Sequence, residues 1–147
     1  MISAVDLTKA IESALINDTL MIDVVVDRSK EINFDPNRMP WIGIYPGTVE
    51  TDPRCIGSGA RRWEEIMQPI LVLQAIDYGN EGTDAADALE ELIKSTISVL
   101  IKDLTFGLSH TRLLRISRTY SYVQDNNDEE GGLFFPECKI TLEVKTG

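Results

Sequence analysis

The sequence predicts an α+β fold: a mostly antiparallel sheet of about four to five strands, with two helices packed on one face. Three observations predict it. Two segments carry apolar residues at helical spacing, one near the N-terminus and one at 84–103. The last two apolar segments alternate with polar residues, as antiparallel strands with one buried face do. Strands follow one another with only one helix between them, which gives the order α-β-β-β-α-β-β.

The first helix has a clear start. Ser3 stands three positions before Asp6, which is the spacing of a capping box, and apolar residues recur at helical intervals up to Leu15. We expect this helix to end near Asn17 and Asp18. The β-branched run from Met21 to Val26 then predicts a strand.

The middle of the chain predicts two strands around a long loop. Trp41 and Tyr45 should face one side of the first strand, and the isoleucines between them the other. Pro46-Gly47 is expected to end that strand and to open a polar loop at 46–62. The next strand lies within 61–79, where Pro69 predicts a bulge or an unpaired position.

The C-terminal half predicts a helix and a hairpin. Thr83 is a plausible N-cap for a helix over 84–103 with a wide apolar stripe. In the following strand the apolar side is predicted to hold Leu114, Ile116, Tyr120 and Tyr122. A second strand begins near Cys138, and an acidic hairpin tip at 124–132 separates the two.

Composition excludes several classes of function. The 147 residues suit one domain, which we expect to span 1–147. The net charge of −10 argues against a general nucleic-acid binder. No apolar run is long enough for a membrane span, and the N-terminal segment lacks the basic region of a secretory signal. Cys55 and Cys138 are expected to be free thiols, with a disulfide between them as the alternative.

No motif predicts catalysis, a cofactor or a metal. The single histidine, His110, lies in a short polar segment that is typical of a turn. The glycine-rich segment 57–62 lacks both common phosphate-binding patterns and precedes a strand rather than a helix. The acidic tip does not have the spacing of a calcium loop. We therefore expect no catalytic, cofactor-binding or metal-ligating residues.

Two groups of residues are candidates for binding a protein partner. Arginine and tryptophan are enriched at the energetic centres of protein interfaces, and the long loop concentrates both in an otherwise acidic chain. The acidic tip is longer than a tight hairpin needs, so it should project from the sheet. The candidate residues are Arg54, Arg61, Arg62, Trp63, Asp125, Asp128, Glu129 and Glu130.

The order of these elements resembles the tail terminator, or tail completion, proteins of long-tailed bacteriophages. The resemblance rests on "WIGIYPG" and its polar loop, on the long strand "MQPILVLQAIDYG", and on "GTDAADALEELIKSTISVLIKD" before two closing strands. It covers nearly the whole chain. The contact residues of that family vary too much for any to be carried over to this sequence.

The resemblance implies a structural virion protein of the tail or neck, without enzymatic activity. Such subunits form a homo-oligomeric ring, commonly a hexamer, which caps the tail tube, stops its polymerisation and offers a surface for head attachment. The expected partners are further copies of the chain, the tail tube protein and a head-tail connector or stopper protein. DNA would pass through the ring without specific binding, and an acidic lining would reduce its adhesion.

Three alternatives remain at this point. One is a regulatory protein that binds a partner through the acidic tip. The same features suit a head-tail connector, a stopper or another minor tail protein. A small cytosolic enzyme or ligand-binding domain is the alternative of a different class. It would need a pocket with converging polar groups, with His110 or Cys55 as its reactive residue.

Overall fold

The structure is a computed structural model, and it describes residues 2–28, 38–52, 64–75, 82–125 and 133–146. At 52, 64, 82–85, 122–125 and 133–135 only the backbone is described. Two helices and five strands follow the predicted order, with a 3-10 turn at Thr19–Met21. They are α1 (Ala4–Ile16), β1 (Val25–Arg28), β2 (Trp41–Asp52), β3 (Glu64–Gln74), α2 (Gly82–Leu100), β4 (Thr111–Asp125) and β5 (Leu133–Thr146).

The strands form one mixed sheet in the order β1-β2-β3-β5-β4. β1 is parallel to β2, and the other neighbouring pairs are antiparallel. β4 therefore forms one edge of the described sheet. The other edge is stepped, because β1 pairs only with Trp41–Ile44 and β2 continues beyond it to Asp52.

Both helices pack on the same face of the sheet, as predicted. Alternate residues of β2, β3 and β5 point toward the helices and join them in one apolar core, as the two-residue period of a strand requires. Its fully buried members include Leu7 and Ile11 from α1, Ile93 from α2, and Leu71 and Ile140 from the sheet.

The capping box of α1 is confirmed. The Asp6 backbone N–H donates to Ser3 Oγ at 3.0 Å, and the Ser3 N–H donates to Asp6 Oδ2 at 3.0 Å. The hydrogen bond from the Ser3 backbone N–H to the carboxylate, with the Ser3 side chain beside it, lowers the pKa of the Asp6 carboxyl group. Asn17 is the C-cap, at the predicted end of the helix.

The prediction that Pro46-Gly47 ends β2 is wrong. The strand continues to Asp52, because a bulge between Tyr45 and Thr48 accommodates Pro46 and Gly47 within the strand. Gly47 adopts a φ of 63°, which only glycine takes readily. Residues 46–52 of the predicted loop are therefore strand, and residues 53–62 lie outside the described residues.

Pro69 lies opposite that bulge. β2 pairs Tyr45 with Ile70 and Thr48 with Gln68, so the interruption falls where Pro69 has no N–H to donate. This confirms the prediction of a bulge at the proline and explains how a central strand accommodates it.

Leu114 does not lie on the buried side of β4, as the alternation predicted. A bulge between Leu113 and Arg115 inserts one extra residue into the strand. Leu113 is buried as a result, and Leu114 is 49% exposed. Beyond the bulge Ile116 packs against the core as predicted, whereas Tyr120 remains 51% exposed.

Two element boundaries also differ from the predictions. Asp18 accepts a hydrogen bond from the Leu20 N–H and caps the 3-10 turn, which delays β1 to Val25. α2 begins at Gly82 and ends at Leu100. Beyond it, Asp103 accepts hydrogen bonds from the N–H groups of Thr105 and Gly107, which favours a turn over further helix.

Candidate assembly interface

The two long hairpins leave the sheet at opposite ends. β2 ends at Asp52 and β3 begins at Glu64, at one end; β4 ends at Asp125 and β5 begins at Leu133, at the other. This follows from the antiparallel pairing of β3 with β5, because each is the second strand of its hairpin. The two predicted contact regions are therefore attached to opposite ends of the subunit.

The β4–β5 hairpin extends beyond its neighbour. The last pair between β3 and β5 is Gln74 with Glu137, whereas β4 and β5 continue to the pair Asp125 with Leu133. At about 3.4 Å per residue, the four further positions of β5 form a two-stranded arm of roughly 13 Å. We call this segment (122–125 with 133–136) the hairpin arm.

Most of the predicted partner-binding residues lie outside the described residues. These are Arg54, Arg61, Arg62, Trp63, Asp128, Glu129 and Glu130. Asp125 ends β4 on the hairpin arm, where only its backbone is described. The predicted tip at 124–132 is thus strand at its first two residues.

A basic group that sequence reasoning missed lies on β4. Arg112, Arg115 and Arg118 are all exposed on this edge strand, and the sequence from Thr111 to Gln124 contains no acidic residue. A search for positive stretches within the acidic chain would have found this run. Its position at an edge of the described sheet could not have been found that way, because strand order depends on long-range pairing.

The sheet face away from the helices carries a buried polar row at the arm end. Register places Trp41, Gln74 and Glu137 side by side, and each is at most 3% exposed. Gln74 Nε2 donates to Glu137 Oε2 at 3.2 Å. Trp41 Nε1 donates to Asp27 Oδ2 at 2.8 Å, and Arg38 Nη2 donates to the same oxygen at 2.6 Å. These contacts fix the end of the sheet from which the hairpin arm extends.

Burial raises the pKa of Glu137, although the Gln74 hydrogen bond and the Lys139 charge oppose the shift. A carboxyl group with a raised folded-state pKa contributes stability that is complete below its unfolded-state pKa. That contribution is lost as the pH rises through the folded-state pKa. We therefore expect Glu137→Gln to become more stable relative to the wild type as the pH rises from 4 to 8.

Urea unfolding at several pH values would measure this difference in free energy of unfolding. A Glu137→Gln difference that does not vary with pH would contradict the assignment.

Of the two candidate reactive residues of the enzyme alternative, His110 and Cys55, only His110 lies among the described residues. His110 is exposed in the turn before β4, with a φ of 56°, and Cys138 is fully buried in the core. Burial raises the pKa of the Cys138 thiol to about 11, so the thiol is protonated near neutral pH and is a poor nucleophile. Cys55 lies outside the described residues.

A cleft of about 320 Å³ lies between α2, the 3-10 turn and the start of β2. Its lining is mainly apolar, including Leu20, Val24 and Leu92, with Glu91 and Ser95 as polar members. Its volume is near the lower limit for small-molecule sites. Neither His110 nor Cys138 lines it.

Among the described residues no group of three or more histidine, cysteine or acidic side chains is placed to hold a metal ion. The described helices include none that could span a membrane.

Comparison with known proteins gives one informative result. No protein-family model matches the chain, and no curated protein matches it. Among solved structures, a chain from the virion of a native gene transfer agent particle has a similar fold, with a TM-score of 0.50 and 14% sequence identity. The match covers 95% of this chain and 94% of that chain.

Proposed function

We propose that the protein is a structural component of a phage-like virion, and specifically a ring-forming tail terminator. The observation that carries the proposal is the fold shared with a chain of the gene transfer agent virion over almost the full length of both chains. The order of elements, which resembles tail terminators, supports the finer assignment. The role is structural rather than enzymatic.

The opposed hairpins suit a subunit that contacts different partners at its two ends. A terminator must touch the tail tube on one side and the head connector on the other. The hairpin arm extends beyond the rest of the sheet at one end, and the β2–β3 hairpin leaves the sheet at the other. A ring of identical subunits presents every arm on the same side, because a rotation about the ring axis does not exchange the ends.

The direct test is assembly with the tail tube protein. Purified chain added to polymerising tube protein should stop elongation and appear as a ring on tube ends by negative-stain imaging. Native mass spectrometry of the purified chain should show one closed oligomer, for which we expect six copies. Tubes that lengthen unchanged, without bound rings, would contradict the terminator assignment.

A head-tail connector or stopper is the alternative within the virion, and the same fold comparison supports it. The two roles differ in where the protein resides. A terminator copurifies with tails that lack heads, whereas a connector or stopper copurifies with tailless heads.

The loop candidates belong to this proposal as contacts with the next subunit or with the tail tube. Arg54, Arg61, Arg62 and Trp63 follow the end of β2, and their residue types suit a protein interface. Alanine substitution of Arg61 and Arg62 should weaken ring assembly or tube capping without changing the cooperativity of unfolding.

The acidic tip is proposed to face the passage for DNA. If so, changing Asp128, Glu129 and Glu130 to lysine gives DNA a positive surface to adhere to and should slow genome passage. Infectivity and the rate of DNA ejection measure the effect. If virions with the lysine variant eject DNA at the normal rate, the proposal that the tip faces the lumen is wrong.

A further inference from the structure

The outer edge of β4 is a basic surface available for docking. No described strand pairs with this edge, so its backbone N–H and C=O groups face outward, as in any unpaired edge strand. Arg112 and Arg115 are exposed there, and neither forms an ion pair with another described residue. In the register of the sheet Arg112 lies opposite Lys145, and Arg115 lies opposite Glu143.

In the part of the chain that the structure describes, the opposite edge of the sheet contains an acidic recess. Of the described strands, β1 covers only the first four residues of β2, so Thr48–Asp52 lies beside a step as wide as one strand, roughly 4.8 Å. Glu50 is exposed on this segment and, like the two arginines, forms no ion pair with another described residue. Val49 beside it is 43% exposed.

The two edges match in their position along the strand direction and in the face of the sheet on which their charged residues lie. One row of the sheet runs from Glu50 through Ile66 and Lys145 to Arg112. Residues directly opposite one another in paired strands share a face, so Glu50 and Arg112 lie at the two ends of one row on the same face. This is the face away from the helices, because Met67 and Val144 in the next row point into the core.

We propose that the β4 edge of one copy of this chain docks into the β2 recess of the next copy, with Arg112 and Arg115 facing Glu50. The proposal rests on the proposed ring and identifies its subunit interface. In a ring whose axis runs along the strands, neighbouring copies are related by a rotation that changes neither the position along the strands nor the face of the sheet. The two ends of a row therefore meet in neighbouring copies. β4 is antiparallel to β2, so the two edge strands run in opposite directions at the contact.

The long arginine side chains span the recess that β1 leaves open, and Leu114 and Val49 add exposed apolar surface on the two edges. The interface is heterologous, since each copy uses two different edges, and contacts of this kind close into rings.

Charge exchange between two variants tests the interface. Alone, Arg112→Glu with Arg115→Glu places acids against Glu50, and Glu50→Arg places bases against the arginines. The amount of ring that each variant forms alone should fall by about tenfold or more at the concentration at which the wild type assembles. Mixed in equal amounts, each edge meets its complement, so rings containing both variants should return. Native mass spectrometry counts the copies of each variant in the mixed rings and measures the wild type alone. Negative-stain imaging shows whether the wild type forms rings on tube ends.

Lys9→Glu with Lys94→Glu is the matched control for the double arginine variant. It changes the net charge by the same amount, but at exposed positions on the helices. It should assemble like the wild type. Recovery on mixing also shows that both variants fold.

If the wild type forms rings and the double arginine variant forms them equally well, the edge interface is wrong while the ring stands. Failure of the mixture to recover also overturns the interface. If the wild type forms no ring either alone or on tube ends, the proposed function fails and this interface fails with it.

Discussion

Replacing Gly47 with alanine is expected to destabilise the protein by on the order of 3–5 kcal/mol. Gly47 has a φ of 63°, and a Cβ atom added there would overlap the backbone carbonyl oxygen of Gln68. Backbone atoms of a central strand cannot move away without breaking their pairing, so the bulge itself has to change. Small domains are stable by only about 5–15 kcal/mol, so much of the population should unfold or aggregate.

Gly107 provides the matched control for this prediction. Its φ is 70°, close to that of Gly47, but nothing lies within 4 Å of the position of an added Cβ. Gly107→Ala should therefore cost only about 1–2 kcal/mol, for the unfavourable backbone conformation. Urea unfolding of the two variants separates conformation from overlap. Equal losses of stability would show that the β2 bulge does not have this geometry.

Replacing Trp41 with alanine is expected to cost about 3–5 kcal/mol. The indole is fully buried at the start of β2, on the sheet face away from the helices. Alanine leaves a cavity and removes the N–H that donates to Asp27 at 2.8 Å. Asp27 retains the Arg38 hydrogen bond, so its carboxylate is not left without a partner.

Trp41→Phe separates packing from the hydrogen bond. Most of the ring volume remains, and we expect a loss of about 1–2 kcal/mol from the missing donor and the smaller ring. Ile22→Ala is the control for an exposed large side chain, since Ile22 is 81% exposed, and it should change stability by less than about 0.5 kcal/mol. A Trp41→Ala variant as stable as Ile22→Ala would contradict the buried position of the indole.

Features that depend on neighbouring residues were predicted well. The capping box of Ser3 and Asp6 involves residues three positions apart, so the sequence contains the whole interaction. Trp41 and the following isoleucine were assigned to opposite faces, because a strand alternates strictly where no bulge intervenes. The wide apolar stripe of α2 likewise predicted which side of that helix packs on the sheet.

Apart from the bulge opposite Pro69, which the missing N–H of proline reveals in the sequence, features that depend on strand register were not predicted. Leu114 was assigned to the buried side, but an extra residue in β4 moves it outward. Pro46-Gly47 has the composition of a turn. The residues on either side of it pair with β3, so it forms a bulge instead. In both cases a distant strand decides the local conformation, through hydrogen bonds that the local pattern does not contain.

The candidate interface shows the same division. The arginines of β4 are visible in the sequence as a run without acids, yet nothing local indicates that β4 is an edge strand. The alignment of Arg112 with Glu50 passes through three strand pairings, each between segments far apart in the chain. Only the assembled sheet brings these residues into one row.

The sequence by itself determined the order of the elements, the start of α1 and the class of the fold, because helical and strand periods are local consequences of backbone geometry. The tertiary structure decided the strand order, the two bulges, the stepped edge and the opposite ends from which the hairpins leave. These depend on backbone hydrogen bonds between distant segments. Such bonds form in whichever register buries the apolar faces together, and no short stretch of sequence encodes that register alone.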